Sequence, residues 1–454
     1  MGSGRGPSIA RAGRAGRGAT ARIPGAYTLA FWRDPIGSLR ARAGEDGDVV
    51  HWKFGGTDTY LLKDPEHIKR VLVTDHRHFM KGRALQVARR VLGNGLLTSE
   101  GEFHDRQRRL LQPLFLPERV AGYGPRIVEA AERTSARWRE GETVDVQREM
   151  ARLTLAVIGE TVFAADLATE ADELADALTV SLDTLNLFML PYLGVLERLP
   201  LPSMRRFRRA QGRLDRTVAR VIDERRAAGG RGDDLPSLLL AAREQNGWSD
   251  TEMRDEAITI LLAGHETTAT ALTWTWHLLA RHPDAEATLH RELERELAGR
   301  PPGAEDLPRL AYAGMVVREA LRLYPPAWLI GRRALVDYRL DDYEIGAGSI
   351  VIVSPYVTHH DDRFYPDPFR FDPGRWAPVE RKRRPRYSYF PFGAGPRVCI
   401  GETFAWTEAL LVLATLAQRW RLRSPPGYEP RLEPRVTLRP KGGLPMTLAG
   451  RAGA

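Results

Sequence analysis

The feature that most constrains this chain is a long central segment that is apolar on nearly every side. Residues 256–280 read EAITILLAGHETTATALTWTWHLLA, which would make about seven helical turns with almost no charged face. Such a helix is stable only where other elements surround it. No uninterrupted apolar run approaches the ~20 residues that cross a bilayer. The segment therefore predicts a helix buried through the middle of a large domain.

The flanking sequence predicts a mainly α protein with small β-sheets, of the α+β class. Apolar residues recur at three- and four-residue intervals in long stretches on both sides of the central segment. Shorter runs rich in β-branched residues indicate strands. The expected helices are 126–140, 204–227 and 408–420; the expected strands are 48–54, 59–63, 333–340 and 349–356, with a closing hairpin at 435–448. We expect one domain over residues 25–454.

The first 24 residues are expected to form a disordered tail rich in Arg and Gly. This segment carries no acid and no apolar stretch, so it resembles neither a signal peptide nor a membrane anchor. One cysteine in 454 residues excludes an internal disulfide framework. We expect a cytoplasmic protein. The net charge of +9 makes nucleic acid a candidate partner. The other dense basic run, 381–386, lacks an aromatic stacking platform, so we expect no nucleic-acid partner.

The single cysteine lies in a segment suited to holding a metal-bound thiolate. Phe392 opens the run FGAGPRVCIG, and Cys399 is its eighth residue. Gly393 and Gly395 permit a tight turn whose N–H groups converge on the sulfur. Arg397 offers a fixed cation two residues before the cysteine, and Phe392 shields the sulfur from water. A lone cysteine is more often a small buried hydrophobe, but these neighbours favour a ligand.

This segment matches F-x-x-G-x-R-x-C-x-G and resembles the haem-binding loop of cytochromes P450, with Gly401 as its last glycine. The resemblance covers about residues 25–448. It implies the P450 fold, a triangular helical body around a buried haem b (iron protoporphyrin IX). It also implies that Cys399 is the axial ligand to the iron and that the chain is an oxidoreductase.

A second group of polar residues interrupts the central helix. Thr267 is expected to bond back to a carbonyl one turn earlier, and Gly264 costs about 1 kcal/mol relative to Ala. A solvent-exposed stripe is the alternative, but the apolar flanks disfavour it. The segment beginning at Ala263 resembles the P450 oxygen-binding groove, where the gap beside Gly264 admits O₂ and Glu266 and Thr267 deliver protons. His265, at the variable position, is expected to be structural.

A third motif is Glu319 and Arg322, three residues apart on one predicted helix. Taken alone it would be a surface ion pair worth ~0.5 kcal/mol or less. The resemblance implies instead a buried triad with Arg375 that holds the cysteine loop. Gly374 stands where the family commonly has an acid.

Further cations are expected to bind the haem carboxylates. His104 and Arg108 lie four residues apart on a probable helix, which alone would indicate an ordinary amphipathic face. In the family, the equivalent pair and an arginine farther along the chain bind the propionates. That arginine is expected to be Arg332, with Arg333 as the competitor.

The resemblance implies a monooxygenase that inserts one atom of O₂ into a lipophilic substrate. LLAGHETTATALTW and VTLRPKGGLP are similar to a thermophile-type carotenoid hydroxylase and to bacterial terpene and fatty-acid hydroxylases. We favour the carotenoid-like substrate. Pocket residues are expected in 83–97, 185–196, Ile260, Ala263, 327–330 and 442–444.

No G-x-G-x-x-G follows a strand and no ferredoxin-like cysteines occur, so electrons are expected from a separate ferredoxin or flavodoxin with its reductase. Its expected docking residues are Arg381, Lys382, Arg383, Arg384 and Arg386. Two alternatives stay open: a peroxide-driven haem-thiolate enzyme or isomerase, and a non-catalytic haem sensor or carrier.

Overall fold

The computed structural model describes residues 26–167, 170–188 and 201–451. The predicted tail, 1–24, lies outside these residues. The described part is mainly helical with several small sheets, which confirms the predicted fold class. Its α-helices are α1 (Ala26–Arg33), α2 (Pro35–Ala43), α3 (Pro65–Lys69), α4 (Arg83–Leu92), α5 (Gly101–Leu111), α6 (Pro117–Arg137), α7 (Val146–Ile158), α8 (Ala171–Phe188), α9 (Pro202–Ala227), α10 (Leu235–Asn246), α11 (Asp250–Arg281), α12 (Pro283–Leu297), α13 (Ala311–Leu323), α14 (Pro355–His359), α15 (Pro378–Lys382) and α16 (Glu402–Arg419).

Helix α11 is the predicted central helix. It begins with a capping box in which Ser249 and Glu252 satisfy each other's backbone N–H groups. Most of its side chains are buried, and the buried positions occur all round the helix. The hydroxyls of Thr273 and Thr275 donate to carbonyls four residues earlier, at 2.7 and 2.8 Å, which satisfies these polar groups inside the core. No described helix is long and apolar enough to cross a membrane.

The main sheet has five strands in the order β1 (Val49–Phe54), β2 (Thr57–Leu62), β8 (Ile350–Val353), β5 (Ile330–Ala334) and β3 (Phe79–Lys81). Strands β2 and β8 are parallel and the other neighbours are antiparallel. The predicted strands 48–54 and 59–63 are confirmed as β1 and β2, which pair as an antiparallel hairpin. The remaining strands are β4 (Thr143–Asp145), β6 (Tyr338–Leu340), β7 (Tyr343–Ile345), β9 (Trp420–Arg423), β10 (Leu432–Pro434), β11 (Leu438–Pro440) and β12 (Pro445–Gly450).

Three strand predictions were wrong in part. The predicted strand 333–340 is divided between β5 and β6. The predicted strand 349–356 stops at Val353, because Ser354 accepts a hydrogen bond from the N–H of Val357 and Pro355 begins helix α14. The predicted closing hairpin does not form: β11 pairs with β10, and β12 pairs with β4 and β9.

Candidate active site

The cysteine segment forms a tight loop immediately before α16. Gly393 and Gly395 have φ values of +75° and +72°, in the left-handed region that favours glycine. A Cβ on Gly395 would lie 2.1 Å from the carbonyl oxygen of Leu72, so this position also needs glycine for close approach. The Cys399 N–H donates to the Phe392 carbonyl at 3.0 Å and closes the loop.

The Cys399 side chain is accessible, although protein atoms surround it. Burial raises the pKa of the thiol to about 11. A thiol on the outer surface would keep its ordinary pKa. A backbone hydrogen bond from Gly401 favours the thiolate and opposes this shift. The two observations agree if the sulfur borders a cavity enclosed by protein.

A second accessible surface lies midway along α11. Ala263, Gly264, Glu266 and Thr267 are partly accessible, although their neighbours along the helix on both sides are buried. With 3.6 residues per turn, these four residues share one side of the helix. That side therefore borders open space inside the protein rather than packed core.

The predicted back-bond of Thr267 is present. Its hydroxyl donates to the carbonyl of Ala263 at 2.8 Å, and α11 continues without a break through this point. Gly264 has a packing role that the sequence did not indicate. A Cβ there would lie 2.8 Å from Cδ1 of Ile158, so the glycine allows α7 to pack closely against α11. On that side Ile158 occupies the space beside Gly264.

Glu266 has a partner on the hairpin formed by β10 and β11. Its Oε1 accepts a 2.6 Å hydrogen bond from the Thr437 hydroxyl. Burial raises the pKa of Glu266, while that hydrogen bond and the charge of Arg439 lower it. Arg439 in turn binds Asp183 at 2.9 Å and Glu433 at 3.0 Å. The acid on α11 is thus connected to charged groups on two other elements.

His265 is buried, unlike the residues on either side of it. Its backbone carbonyl accepts a hydrogen bond from Thr154 of α7 at 2.9 Å. Burial lowers the pKa of its imidazole to about 4, so the ring is neutral near pH 7. The position supports the predicted structural role.

Four cationic or titratable side chains converge with one acid between β3, β5, α5 and the cysteine loop. Arg332, Lys81 and His104 are 7%, 5% and 5% exposed. Arg397 donates to Glu100, and its Nη1 is buried without a hydrogen-bond partner. We call these five residues the cation cluster. Its permanent positive charges outnumber its single carboxylate.

Arg332 shows this imbalance most clearly. Among the described residues, the acceptor of its guanidinium is the adjacent carbonyl of Gly331, at 3.1 Å. Burial, together with the nearby charge of Arg397, lowers the pKa of Arg332 to about 10, and Glu100 opposes this shift. Arg333 points to the other face of β5 and is exposed. The structure therefore favours Arg332 over Arg333 as a cofactor-binding residue.

Arg108, expected from the resemblance to bind a haem carboxylate, contacts the cysteine loop directly. Its Nη1 donates to the carbonyl of Val398 at 2.8 Å, and a negative charge on Cys399 would raise its pKa. Burial lowers that pKa. Arg108 thus braces the loop beside the thiol, whereas His104 lies in the cation cluster.

The site fits a haem. A haem presents an iron that a thiolate binds and carboxylates that need cations. Cys399 borders internal space, and the cation cluster carries buried positive charge that its own Glu100 does not neutralise. Uncompensated buried charge is costly, so an anion belongs at this place. Cys399 would hold the iron, and Arg332, Arg397 and His104 would hold the carboxylates.

The predicted triad is assembled behind this site. Arg322 and Glu319 are fully buried and share two 2.8 Å hydrogen bonds. Arg375 lies 3.4 Å from Glu319, and the indole of Trp376 donates to the same carboxylate at 2.9 Å. The guanidinium of Arg322 also binds three carbonyls of the segment 359–370. The pair is therefore not the surface ion pair that spacing alone allowed.

Three residues of the site were missed at the sequence level: Lys81, Glu100 and Thr437. Lys81 joins the cation cluster because β3 pairs with β5, and Glu100 joins it by accepting hydrogen bonds from the Lys81 backbone N–H and from Arg397. No local motif marks either residue. Thr437 falls in a segment predicted as a hairpin strand. The turn 442–444, expected to line the pocket, lies elsewhere: Leu444 is fully buried and its N–H binds Asp145.

A separate cleft of about 640 Å³ lies between α6 and the loop before α10. Two ion pairs lie in its lining, Arg119 with Asp233 and Arg225 with Asp234. It contains none of the site residues described above.

The helical body around a central helix, the enclosed cysteine and the buried cations define a haem-thiolate protein. The cytochrome P450 family model matches residues 27–445, and the chain belongs to that family. It is a P450 monooxygenase.

Similar proteins support this family over most of the chain. Cyclooctatin synthase of Streptomyces melanosporofaciens is 41% identical over 417 residues, which are 91% of each chain. Pentalenene oxygenase of Streptomyces avermitilis is 38% identical over 391 residues, covering 85% of this chain and 86% of that protein. The crystal structure of the cytochrome P450DA heme domain matches with a TM-score of 0.81 and 28% identity, covering 93% of each chain.

Proposed function

We propose that this monooxygenase oxidises a terpene hydrocarbon or a lightly oxidised terpene. The observation that carries the proposal is the likeness, over most of the chain, to proteins named cyclooctatin synthase and pentalenene oxygenase. Apolar, partly accessible residues on several elements are compatible with such a substrate: Leu97, Ala263, Leu329 and Ile330. Ile260 is 4% exposed and belongs to the core.

A carotenoid, the substrate favoured from similarity in the sequence motifs, is the second candidate, because carotenoids are as apolar as terpene hydrocarbons. Residues 185–196, expected to line the pocket, lie outside the residues whose side chains are described.

The haem supplies, when bound, the redox chemistry that activates O₂. Cys399 holds the iron as a thiolate, since metal binding deprotonates a thiol. Arg332, Arg397 and His104 fix the cofactor's orientation through its carboxylates. The triad of Glu319, Arg322 and Arg375 positions the segments behind the cysteine loop.

Glu266 and Thr267 move and hold protons at the accessible face of α11. Because burial raises the pKa of Glu266, its carboxyl group exchanges a proton more readily near neutral pH than an exposed glutamate does. The Thr267 hydroxyl, anchored to the Ala263 carbonyl, presents its oxygen as an acceptor on the same face. Ala263, which is partly accessible on the same face, leaves room beside this pair, whereas Ile158 occupies the space beside Gly264.

Electrons come from a separate acidic ferredoxin or flavodoxin with its own reductase. Arg381, Lys382 and Arg386 are exposed and precede the cysteine loop closely in the chain, and they supply positive charge for docking. Arg383 is exposed but pairs with Glu380 at 2.9 Å. Arg384 is less suited than the sequence indicated, because its guanidinium lies 4.6 Å from the Trp376 ring centre and faces inward. Within this proposal, the protein and its electron-transfer partners act in a reducing cytoplasm.

Substrate binding is the first test. Purified ferric protein is titrated with sesquiterpenes, cyclic diterpenes, carotenoids and fatty acids while the haem absorption is followed. We expect a saturable low- to high-spin shift with terpenes, and product formation with O₂, NADH and surrogate redox partners. A shift with carotenoids or fatty acids alone would overturn the terpene proposal. Turnover with peroxide but never with O₂ and electrons would favour the peroxide-driven alternative.

Docking is tested with Arg381→Gln/Lys382→Gln, and Arg205→Gln/Arg206→Gln on exposed positions of α9 serves as the matched control. The first variant is expected to slow reduction by an acidic ferredoxin and to weaken its dependence on salt. The control is expected to change neither. Equal effects of the two variants would place docking elsewhere.

A further inference from the structure

Lys81, at the end of β3, is held in a manner that suits a neutral amine. Its Nζ donates to the carbonyls of Leu96 at 2.9 Å and Ser99 at 2.7 Å. A neutral amine has two N–H donors, whereas an ammonium group has three. These two carbonyls are the acceptors that the described residues provide. They satisfy both N–H donors of the neutral form and leave one N–H of the charged form without an acceptor.

Charged and titratable groups face Lys81 from every element packed around it. They are Arg89 of α4, Glu100 just before α5, His104 of α5, Glu256 of α11, Arg332 of β5 and Arg397 of the cysteine loop. Burial is the main cause that lowers the pKa of Lys81 to about 7; Glu100 opposes this shift, and the neighbouring arginines add to it. The nearest carboxylate, Glu100, already binds Arg397 and the backbone N–H of Lys81.

We propose that Lys81 takes up a proton when the cofactor's carboxylates enter the cation cluster, so that haem binding is coupled to protonation of this lysine. The proton comes from solvent, and no covalent bond changes. An arriving carboxylate supplies both the missing third acceptor and the negative charge that stabilises the ammonium form. The proposal rests on the cofactor assignment and is independent of the substrate class.

The coupling has a definite sign. Near pH 8 the amine of the free site is mostly neutral, so binding must add a proton, and affinity falls as pH rises. The fall is at most about tenfold per pH unit for one proton. Below about pH 6 the amine is charged in both states, and this contribution to the pH dependence vanishes.

The test measures how haem partitions at equilibrium between the full-length holoenzyme and a haem-scavenging apoglobin, from about pH 5 to 9. Wild type is compared with Lys81→Arg and Lys81→Met, which do not change charge in this range. Ionisation of Cys399 on metal binding also depends on pH, but it is common to all variants and cancels in their ratio. Either variant serves as the reference if the other does not fold.

Lys63→Arg is the matched control. Lys63 is 8% exposed and its Nζ donates to two carbonyls, those of Ala43 and Glu45, on elements that do not contribute to the cation cluster. We expect the ratio of the wild-type haem Kd to that of Lys81→Arg to be constant below about pH 6 and to rise by up to about tenfold per pH unit above about pH 7. Lys63→Arg should give a ratio to wild type that is constant throughout.

A ratio for Lys81→Arg that does not vary with pH would overturn the coupling. An equal slope in Lys63→Arg would also overturn it, since the effect would then belong to buried lysines in general. If the purified wild type holds no haem at any pH, the cofactor assignment itself is wrong. Haem binding with a flat ratio rejects the role of Lys81 alone.

Discussion

The hydroxyl of Thr437 donates a 2.6 Å hydrogen bond to the carboxyl group of Glu266, joining the hairpin of β10 and β11 to the accessible face of α11. The hairpin is itself anchored to α11, because the indole of Trp274 donates to the Leu438 carbonyl at 2.7 Å. Thr437 therefore sets the orientation of an acid that we propose carries protons.

Replacing Thr437 with Val should disturb this orientation while keeping the side chain's shape. The buried carboxyl group would lose its partner, at a cost of about 1–3 kcal/mol, and would settle in other orientations. We expect less product per NADH consumed and more peroxide, with recovery in Thr437→Ser. Thr447→Val on β12, where the hydroxyl contacts Thr143, is the control. Unchanged coupling in Thr437→Val would show that Thr437 does not position Glu266.

Glu319→Ala should destabilise the protein strongly. The change leaves the fully buried guanidinium of Arg322 without its carboxylate, which costs about 3–5 kcal/mol. Glu380→Ala breaks an exposed ion pair with Arg383 and should cost about 1 kcal/mol or less. Urea unfolding of both variants measures the two costs. Similar values would mean that the triad contributes no more than a surface pair.

Gly395→Ala and Gly442→Ala separate backbone strain from steric clash. Both glycines have positive φ, +72° and +80°, so each change costs about 1–2 kcal/mol in conformation. Only Gly395 has a neighbour in the way, since a Cβ on Gly442 meets nothing within 4 Å. We expect Gly395→Ala to lose more stability and to retain less haem. Equal losses in free energy of unfolding would remove the role assigned to the Leu72 contact.

The sequence was sufficient for the elements whose physics is local. The apolar character of α11 predicted the central helix, and the turn glycines beside Cys399 predicted the cysteine loop. The triad was expected through family resemblance, because spacing alone left Glu319 and Arg322 as an ordinary surface pair. The structure shows their burial, which depends on the segment 359–370 wrapping around them.

Contacts between distant segments were beyond local reasoning. Lys81 joins the site because β3 lies beside β5, which places Lys81 opposite Arg332. The predicted strand 333–340 was too long, because the alternation of apolar and polar residues continues across a turn. Only the pairing with other strands reveals that turn. From the sequence, the gap beside Gly264 was interpreted as space for O₂. In the structure, the side chain of Ile158, from another helix, occupies the space beside this glycine.

Stability should depend on pH through Glu256. Its carboxyl group is fully buried, and burial raises its pKa to about 8. A raised carboxyl pKa stabilises the fold at low pH, and this stability is lost as pH rises from about 4.5 towards 8. Relative to Glu256→Gln, wild type should therefore weaken by up to about 1.4 kcal/mol per pH unit in that window. Urea unfolding at several pH values measures the difference, with the exposed Glu244→Gln as control. A constant difference between wild type and Glu256→Gln would contradict the raised pKa.

Arg332→Met should have opposite effects on the cofactor-free and the haem-bound protein. Without an anion the buried guanidinium is a cost, as the burial-lowered pKa of Arg332 indicates, so its removal should stabilise the cofactor-free chain. With haem bound, the same change removes a charge-assisted hydrogen bond worth about 1.5–3 kcal/mol, so haem affinity should fall about tenfold to a hundredfold. Arg333→Met, on the exposed face of the same strand, should do neither. Thermal unfolding of both forms and haem transfer to an apoglobin measure the two effects. A residue with a purely structural role would shift both forms in the same direction, so parallel shifts in Arg332→Met would remove Arg332 from the carboxylate site.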